Sequence, residues 1–520
     1  MNDMMSNRQV DALFMLIKSL EKAEKRHFKL YINRSSSRSG ELKVVRLFDL
    51  IDKQPEYNEE LLLKRMPGVT KSQLANLKTH LYREMLASLR LLKRSDSIDL
   101  EINEQFDYAH ILYKKGLYLP SLRMLEKAKE LARLYDKINI LPQLLSLEKR
   151  IEGLHITRQV EFRADAIARE SSEVADQIHR VAQLSNLALK LFSWFVQHGH
   201  ARDESDETSV RQFLQQHLPP DAWSYTGFYE RLYLYQSLSW FAFIRQDFLQ
   251  YYRYAQKWVS LFETDPARIR IETGHYIKGL HTLLNAQFDL RHHRAFRKTL
   301  TQLEALSKTE RIRQNDNFRI QCFVYLSTAQ INGHFMKGSF AQGMKQIPQI
   351  ESELDSVELF IDSHRLLVLN YKFAMLCFGS GEFGRCIDYL RRIIDSTTNL
   401  RYDLQCYARL LHLLAHYELG NDALMESLTK STYRFMARLK NLTAIEEAMF
   451  RFLRRSLPLS PRQLQPEFVQ FLDEIKYLEK DRFQTRAFAY LDVISWLESK
   501  AQRKSMAEIV RAKYLLDKRA

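Results

Sequence analysis

Glycine and proline are scarce in this chain, with 15 and 11 among 520 residues, well below ordinary usage. So few backbone breakers, among many Leu, Lys, Arg and Glu, exclude a loop-rich or sheet-rich protein and predict helices nearly throughout. Cysteine is also sparse: Cys322, Cys377, Cys386 and Cys406. No two form a CxxC pair and none has histidines at zinc spacing, which argues against a zinc module or a disulfide framework. We expect four small buried thiols in a reduced, cytoplasmic protein. No apolar run approaches the ~20 residues of a membrane span. The opening MNDMMSNRQVDALF carries acids where a secretory leader carries bases. A soluble chain without a membrane span is expected.

What is present is length, charge and repetition. At 520 residues the chain exceeds what one hydrophobic core of ordinary shape supports. Stacked repeats escape that limit, because each unit packs only on its neighbours. The net charge of +15 is uneven. Residues 1–95 hold 19 Lys and Arg against 11 Asp and Glu, residues 151–250 hold 9 against 13, and residues 451–520 hold 15 against 9. Basic ends attract nucleic acid, acidic proteins or anionic lipid, and charge alone does not choose among them.

Three stretches share one form: KGLYLPSLRMLEKAKEL (115–131), KGSFAQGMKQIPQI (337–350) and SGEFGRCIDYLRRII (380–394). Each follows an apolar-periodic run and reads as helix, glycine turn, aromatic, then small and apolar residues at helical spacing. Turn aromatics at Tyr118, Phe248, Phe296, Phe340 and Phe383 mark the series, and LGND (419–422) marks a further turn. This pattern resembles the tetratricopeptide repeat, a helix–turn–helix unit, with helices longer than that family's ~34-residue period allows. The resemblance covers residues 103–440. It implies an all-α, right-handed superhelical solenoid of antiparallel helix pairs. Residues 441–520 are expected to form helical pairs capping the array, and 1–95 a basic N-terminal helical module.

Within that module, residues 9–33 read as one amphipathic helix. Val10, Leu13, Phe14, Ile17, Leu20 and Leu30 lie near one face, and Lys18, Lys22, Lys25, Arg26 and Lys29 form a basic stripe. Helices are predicted over 41–54, 58–66 and 70–93. The last two, joined by a Pro-Gly turn, have the form of a helix-turn-helix with Thr70 as N-cap. The third helix would expose Lys71, Ser72, Gln73, Asn76 and Lys78, side chains able to touch bases or phosphates. Lys64 departs from that motif, which favours a small residue there. The competing reading is a plain helical cap on the first repeat. A bare face on helix 70–93 favours a nucleic-acid reader; a face packed on helix 9–33 favours the cap.

Catalytic signatures are weak. Gly379 to Gly384 spells GxGxxG, but a helix rather than a strand precedes it, so dinucleotide binding is not expected. His412 and His416 lack the adjacent Glu of a zincin. His198 and His200 have no ligating companion nearby, and the acidic DESDE (203–207) reads as a solvated loop. No P-loop, GxSxG or Cys/His pair is evident. We expect no enzyme activity, cofactor or metal.

The resemblance also implies a binding face. In tetratricopeptide repeats the first helix of each pair lines the concave side. Two offsets before each turn give Tyr113, Phe243, Arg291, Phe335, Phe378 and Tyr417, and Asn103, Tyr233, His281, Tyr325, Val368 and Tyr407. Eight of these twelve are aromatic. Such a ladder suits an apolar peptide, because rings give large contact area at low entropic cost. The alternative is that these rings pack between repeats. The leading expectation is a non-enzymatic scaffold binding a protein or peptide partner in the groove. The second is a nucleic-acid-binding regulator using residues 1–95.

Overall fold

The computed structural model describes residues 11–35, 39–92, 97–155, 163–357, 361–396, 401–439, 442–481, 483–484, 488 and 491–517. Among these residues every regular element is helical and no strand occurs. The chain forms two compact units, Met1–Ile178 and His179–Ala520.

The first unit holds α1 (Ala12–Ser19), α2 (Lys22–Ser35), α3 (Ser39–Asp52), α4 (Glu59–Arg65), α5 (Lys71–Leu92), α6 (Ile98–Lys114), α7 (Tyr118–Leu134), α8 (Leu141–Leu154) and the start of α9 (Arg163–His198). The single helix expected over 9–33 is two helices. Asp11 caps α1 by accepting from the N–H groups of Leu13 and Phe14, and Leu20 turns extended at ψ 133°. Residues 9 and 10 lie outside the described residues. The break resets the buried face: Leu13, Phe14, Ile17 and Leu20 are interior, then Phe28 and Ile32, while Leu30 is 52% exposed. Between α4 and α5, Gly68 adopts φ 84°. Thr70 Oγ1 then accepts from the Gln73 N–H, and Gln73 Oε1 accepts from the Thr70 N–H. That reciprocal cap ties down two N–H groups that helix geometry would leave orphaned.

The second unit takes the rest of α9. It continues through α10 (Glu204–His217), α11 (Phe228–Ile244), α12 (Phe248–Glu263), α13 (Ala267–Ile271), α14 (Thr273–Asp289), α15 (His293–Ser307), α16 (Glu310–Arg313) and α17 (Asp316–Lys337). Then follow α18 (Phe340–Met344), α19 (Ile347–Val357), α20 (Ser363–Ser380), α21 (Phe383–Ile394), α22 (Tyr402–Glu418), α23 (Asp422–Arg438), α24 (Ala444–Ser456), α25 (Pro461–Lys476), α26 (Val493–Gln502) and α27 (Met506–Asp517). The DESDE run is not a loop. Asp203 caps α10 and its other acids fill the first turn, where the helix dipole favours negative charge. The helix expected over 340–350 breaks into α18 and α19.

Neighbouring helices pair as hairpins, and one backbone device recurs at six of the turns. Gly116, Gln246, Arg291, Gly338, Gly381 and Gly420 all have positive φ. Each donates its N–H to the carbonyl three residues back, and the next residue donates to the carbonyl five back. This is the Schellman termination of a helix. Gln246 and Arg291 adopt it at a cost of about 1–2 kcal/mol relative to glycine. Arg291 shifts the register of the third turn. The sequence pattern placed its aromatic at Phe296; the residue two past the turn is His293. The six carbonyls accepting the turn N–H belong to Tyr113, Phe243, Phe288, Phe335, Phe378 and Tyr417, all aromatic.

Two of the three glycines in the GxGxxG run have structural causes, and Gly384 stands in open space. A Cβ on Gly379 would lie 2.6 Å from the Phe340 ring, so α20 meets α18 only through glycine, and Gly381 supplies the left-handed turn at φ 83°. The C-terminal helices return along the array. Trp496 Nε1 donates to Glu418, Gly338 abuts the backbone of Ala507 and Arg511, and Tyr514 packs edge-on against His293.

Candidate functional site

The first helices of four successive hairpins, α11, α14, α17 and α20, line one cavity of about 670 Å³ in the second unit, with α9 closing a further side. Phe243, Tyr325 and Phe335 of the expected ladder are on its wall, as are His281, Arg291 and Val368. Phe288 joins them once the turn is taken at Arg291. The other ladder residues lie elsewhere. Phe378 is 3% exposed and packs against Phe383. Tyr407 is 1% exposed and donates its hydroxyl to Glu446 at 2.8 Å. Tyr417 sits among Phe452, Phe468 and Trp496. Tyr233 is half-buried, edge-on to His275. Tyr113, in the first unit, packs with Tyr118 and His155.

The cavity wall carries polar groups that the aromatic pattern did not indicate. Lys278 and Asp289 come from α14, Asn332 from α17, and His364, Arg365 and Lys372 from α20. Lys372 donates to Asn332 Oδ1 at 2.6 Å and lies 5.6 Å from the Phe335 ring centre and 5.9 Å from that of Phe288. Burial pulls its pKa down to about 8, with Asp289 opposing the shift. Burial pushes Asp289 up to about 7, against the charges of Lys372 and Arg291. Burial, then Lys372, Arg365 and Lys278, hold His281 down to about 3. His364 is held near 4, first by burial and then by Arg401. Both imidazoles are neutral at pH 7. His281 stacks on Tyr325 with ring centres 3.9 Å apart and planes 8° from parallel. Lys278 occupies the second ladder offset in the corrected register, so a signal for it existed. Nothing in the spacing marked Asp289 or Lys372.

In the first unit, α5 packs on α2 and α3 through Leu74, Leu81 and Met85. Of the expected nucleic-acid contacts, several are already engaged. Lys18 donates to the Asp52 carbonyl, Lys25 pairs with Asp52, and Lys29 pairs with Asp49. Lys78 pairs with Asp11 and Glu59 and donates to Tyr57. Burial opposes its charge, but hydrogen bonds to Asp11 and Tyr57 raise its pKa overall. Lys22, Arg26, Lys71, Gln73 and Asn76 are exposed.

Among the described residues no group of three His, Cys, Asp or Glu is placed to hold a metal ion. His412 and His416 lie with ring centres 4.6 Å apart, and His200 bonds the Phe243 carbonyl. The four cysteines are buried free thiols; burial pushes Cys322 up to about 12 and Cys377 to about 11. No helix among the described residues is long and apolar enough to cross a membrane. No protein-family model, no curated protein and no solved structure matches the chain.

Proposed function

We propose that the chain is a non-enzymatic scaffold, a tetratricopeptide-like right-handed solenoid that binds a protein or peptide partner on the face formed by the first helices of its hairpins. The observation that carries this reading is the single cavity onto which α11, α14, α17 and α20 bring Phe243, Phe288, Tyr325 and Phe335. Partner side chains would be buried against these rings, and the nearby cations would set their orientation. The test is capture of partners from the native cell on immobilised full-length chain, beside the Phe243→Ala/Phe335→Ala variant. Nuclease-treated and untreated lysates are run in parallel. A protein captured from both lysates by the wild type and lost by the variant supports the reading. Equal capture by both chains overturns it.

A second reading, nucleic-acid binding by the first unit, draws on the exposed Lys22, Arg26, Lys71, Gln73 and Asn76. It predicts binding that weakens steeply with salt, as condensed counterions are released, and that is lost in Arg26→Glu/Lys71→Glu. Lys78 is a poor target, because Asp11 and Glu59 already neutralise it. Salt-insensitive binding retained by that variant removes this surface from consideration.

A further inference from the structure

We propose that the inner wall of the second unit's cavity is a binding site for a free small organic anion, a carboxylate or phosphate carried on a flat apolar body. This goes beyond partner binding and does not depend on it.

The volume, about 670 Å³, lies within the ~300–1,000 Å³ of small-molecule sites. Its wall has an excess of hydrogen-bond donors and positive charge. Lys278 and Lys372 make no ion pair with any described residue. Arg365 reaches one carboxylate, that of Asp362, at 3.3 Å. The Asn285 amide lies 3.1 Å from His281 Nε2. When it donates there, the imidazole proton sits on Nδ1, which is buried without a partner. His364 Nδ1 is likewise buried and unpartnered. Buried polar groups in folded proteins are nearly always satisfied, so several orphans on one cavity wall imply an absent partner. An anion supplies the acceptors and charge that the histidines and lysines lack; Asp289 Oδ2, also unpartnered on this wall, is pushed by burial toward the protonated form that donates to an anion. The anion would also offset the repulsion between Lys278 and Arg365, whose charges now act against each other.

The apolar half of the ligand follows from what surrounds the cations. Phe192 lies 5.7 Å from Lys278, Phe288 and Phe335 flank Lys372, and the Tyr325–His281 stack presents flat rings. A naked ion would leave these rings unused. A planar apolar body stacks on them while its charged group meets the lysines.

Trp240 and Trp258 line the cavity, so intrinsic fluorescence reports occupancy in the intact chain. The probes are phenyl phosphate, phenylacetate, the neutral phenylacetamide, and the peptide acetyl-Phe-Glu-amide, read by tryptophan fluorescence and thermal melting. At least one free anion should bind saturably and raise the melting temperature. Phenylacetamide should bind at least ~10-fold more weakly, corresponding to ~1.4 kcal/mol for loss of the charged contact. Lys278→Met/Lys372→Met should weaken that anion by at least ~10-fold and leave phenylacetamide unchanged. Should the double variant fail to fold, competition by inorganic sulfate against the anion on the wild-type chain serves instead, and sulfate should displace it. Three results would overturn the proposal: no response to either free anion at ~10 mM, well above weak-binding range; equal binding of neutral and charged probes; or binding of the peptide alone, which would assign the cations to an acidic side chain of a partner.

Discussion

Two desolvated lysines, one buried in the first unit and one half-buried on a cavity wall of the second, are treated in opposite ways. Lys129 in the first unit is 1% exposed and has three carboxylates around it: Glu148 at 2.7 Å, Glu126 at 3.3 Å and Glu170 at 3.4 Å. Arg133 and Arg163 share those acids. Lys372 in the second unit lies on a cavity wall with a hydrogen bond to an amide and no ion pair with any described residue. A cation serving only the fold is surrounded by the anions that offset its desolvation. One left short of them stands where something else supplies the charge.

The largest expected effect breaks the first half of that contrast. Lys129→Met leaves Glu148, itself 1% exposed, and Glu170 without their central cation. It should cost about 3–5 kcal/mol, read from urea unfolding of the full chain. A loss below about 1 kcal/mol would mean that the cluster is not the structural unit its distances imply.

How far such sites were legible depends on whether they follow the helical period. The hairpins were visible because glycine turns and turn aromatics recur, and the all-helical class followed from scarce breakers. The third hairpin was misregistered because its turn has neither marker: Arg291 stands in the left-handed position where glycine is expected, and His293 rather than Phe or Tyr follows two residues on, whereas Gln246 is followed by Phe248. With that turn restored, Phe288 falls into line with the other five aromatics. Phe378 and Phe335 occupy the same offset but meet different surroundings, since helix packing, not offset, decides whether a ring faces a neighbour or a cavity. The polar wall was illegible because Asp289, Asn332 and Lys372 come together only across hairpins.

A smaller effect of opposite sign is expected at the cavity. Lys372→Met removes a desolvated charge that Asp289 offsets only in part and without an ion pair among the described residues, and should leave stability unchanged or raise it by up to about 2 kcal/mol. A loss as large as that of Lys129→Met would make the two lysines equivalent.

The smallest effects concern pH. Asp289 holds its proton in the folded chain up to about pH 7, whereas an unfolded aspartate loses it near 3.8. Its contribution to stability therefore falls as pH rises between those values. Lys372 loses its proton in the folded chain near pH 8 and in the unfolded chain near 10.5, so its contribution rises with pH across that window. Asp289→Asn should remove the first slope, on the order of 1 kcal/mol between about pH 5 and 7, and Lys372→Met the second. Denaturant titrations at several pH values, taken as differences from wild type, measure both. Unchanged slopes in the variants would place the two groups in a wetter setting than the cavity wall.

The most direct test of the claim that α11, α14, α17 and α20 frame a binding cavity rather than a core compares two rings at one repeat offset. Phe378→Ala and Phe335→Ala are each followed by urea titration. Phe378 is interior, and its removal should cost about 3–5 kcal/mol. Phe335 borders the cavity, and its removal should cost less than about 1.5 kcal/mol. Equal and large losses at both positions would contradict the account, because Phe335 would then be filling a core.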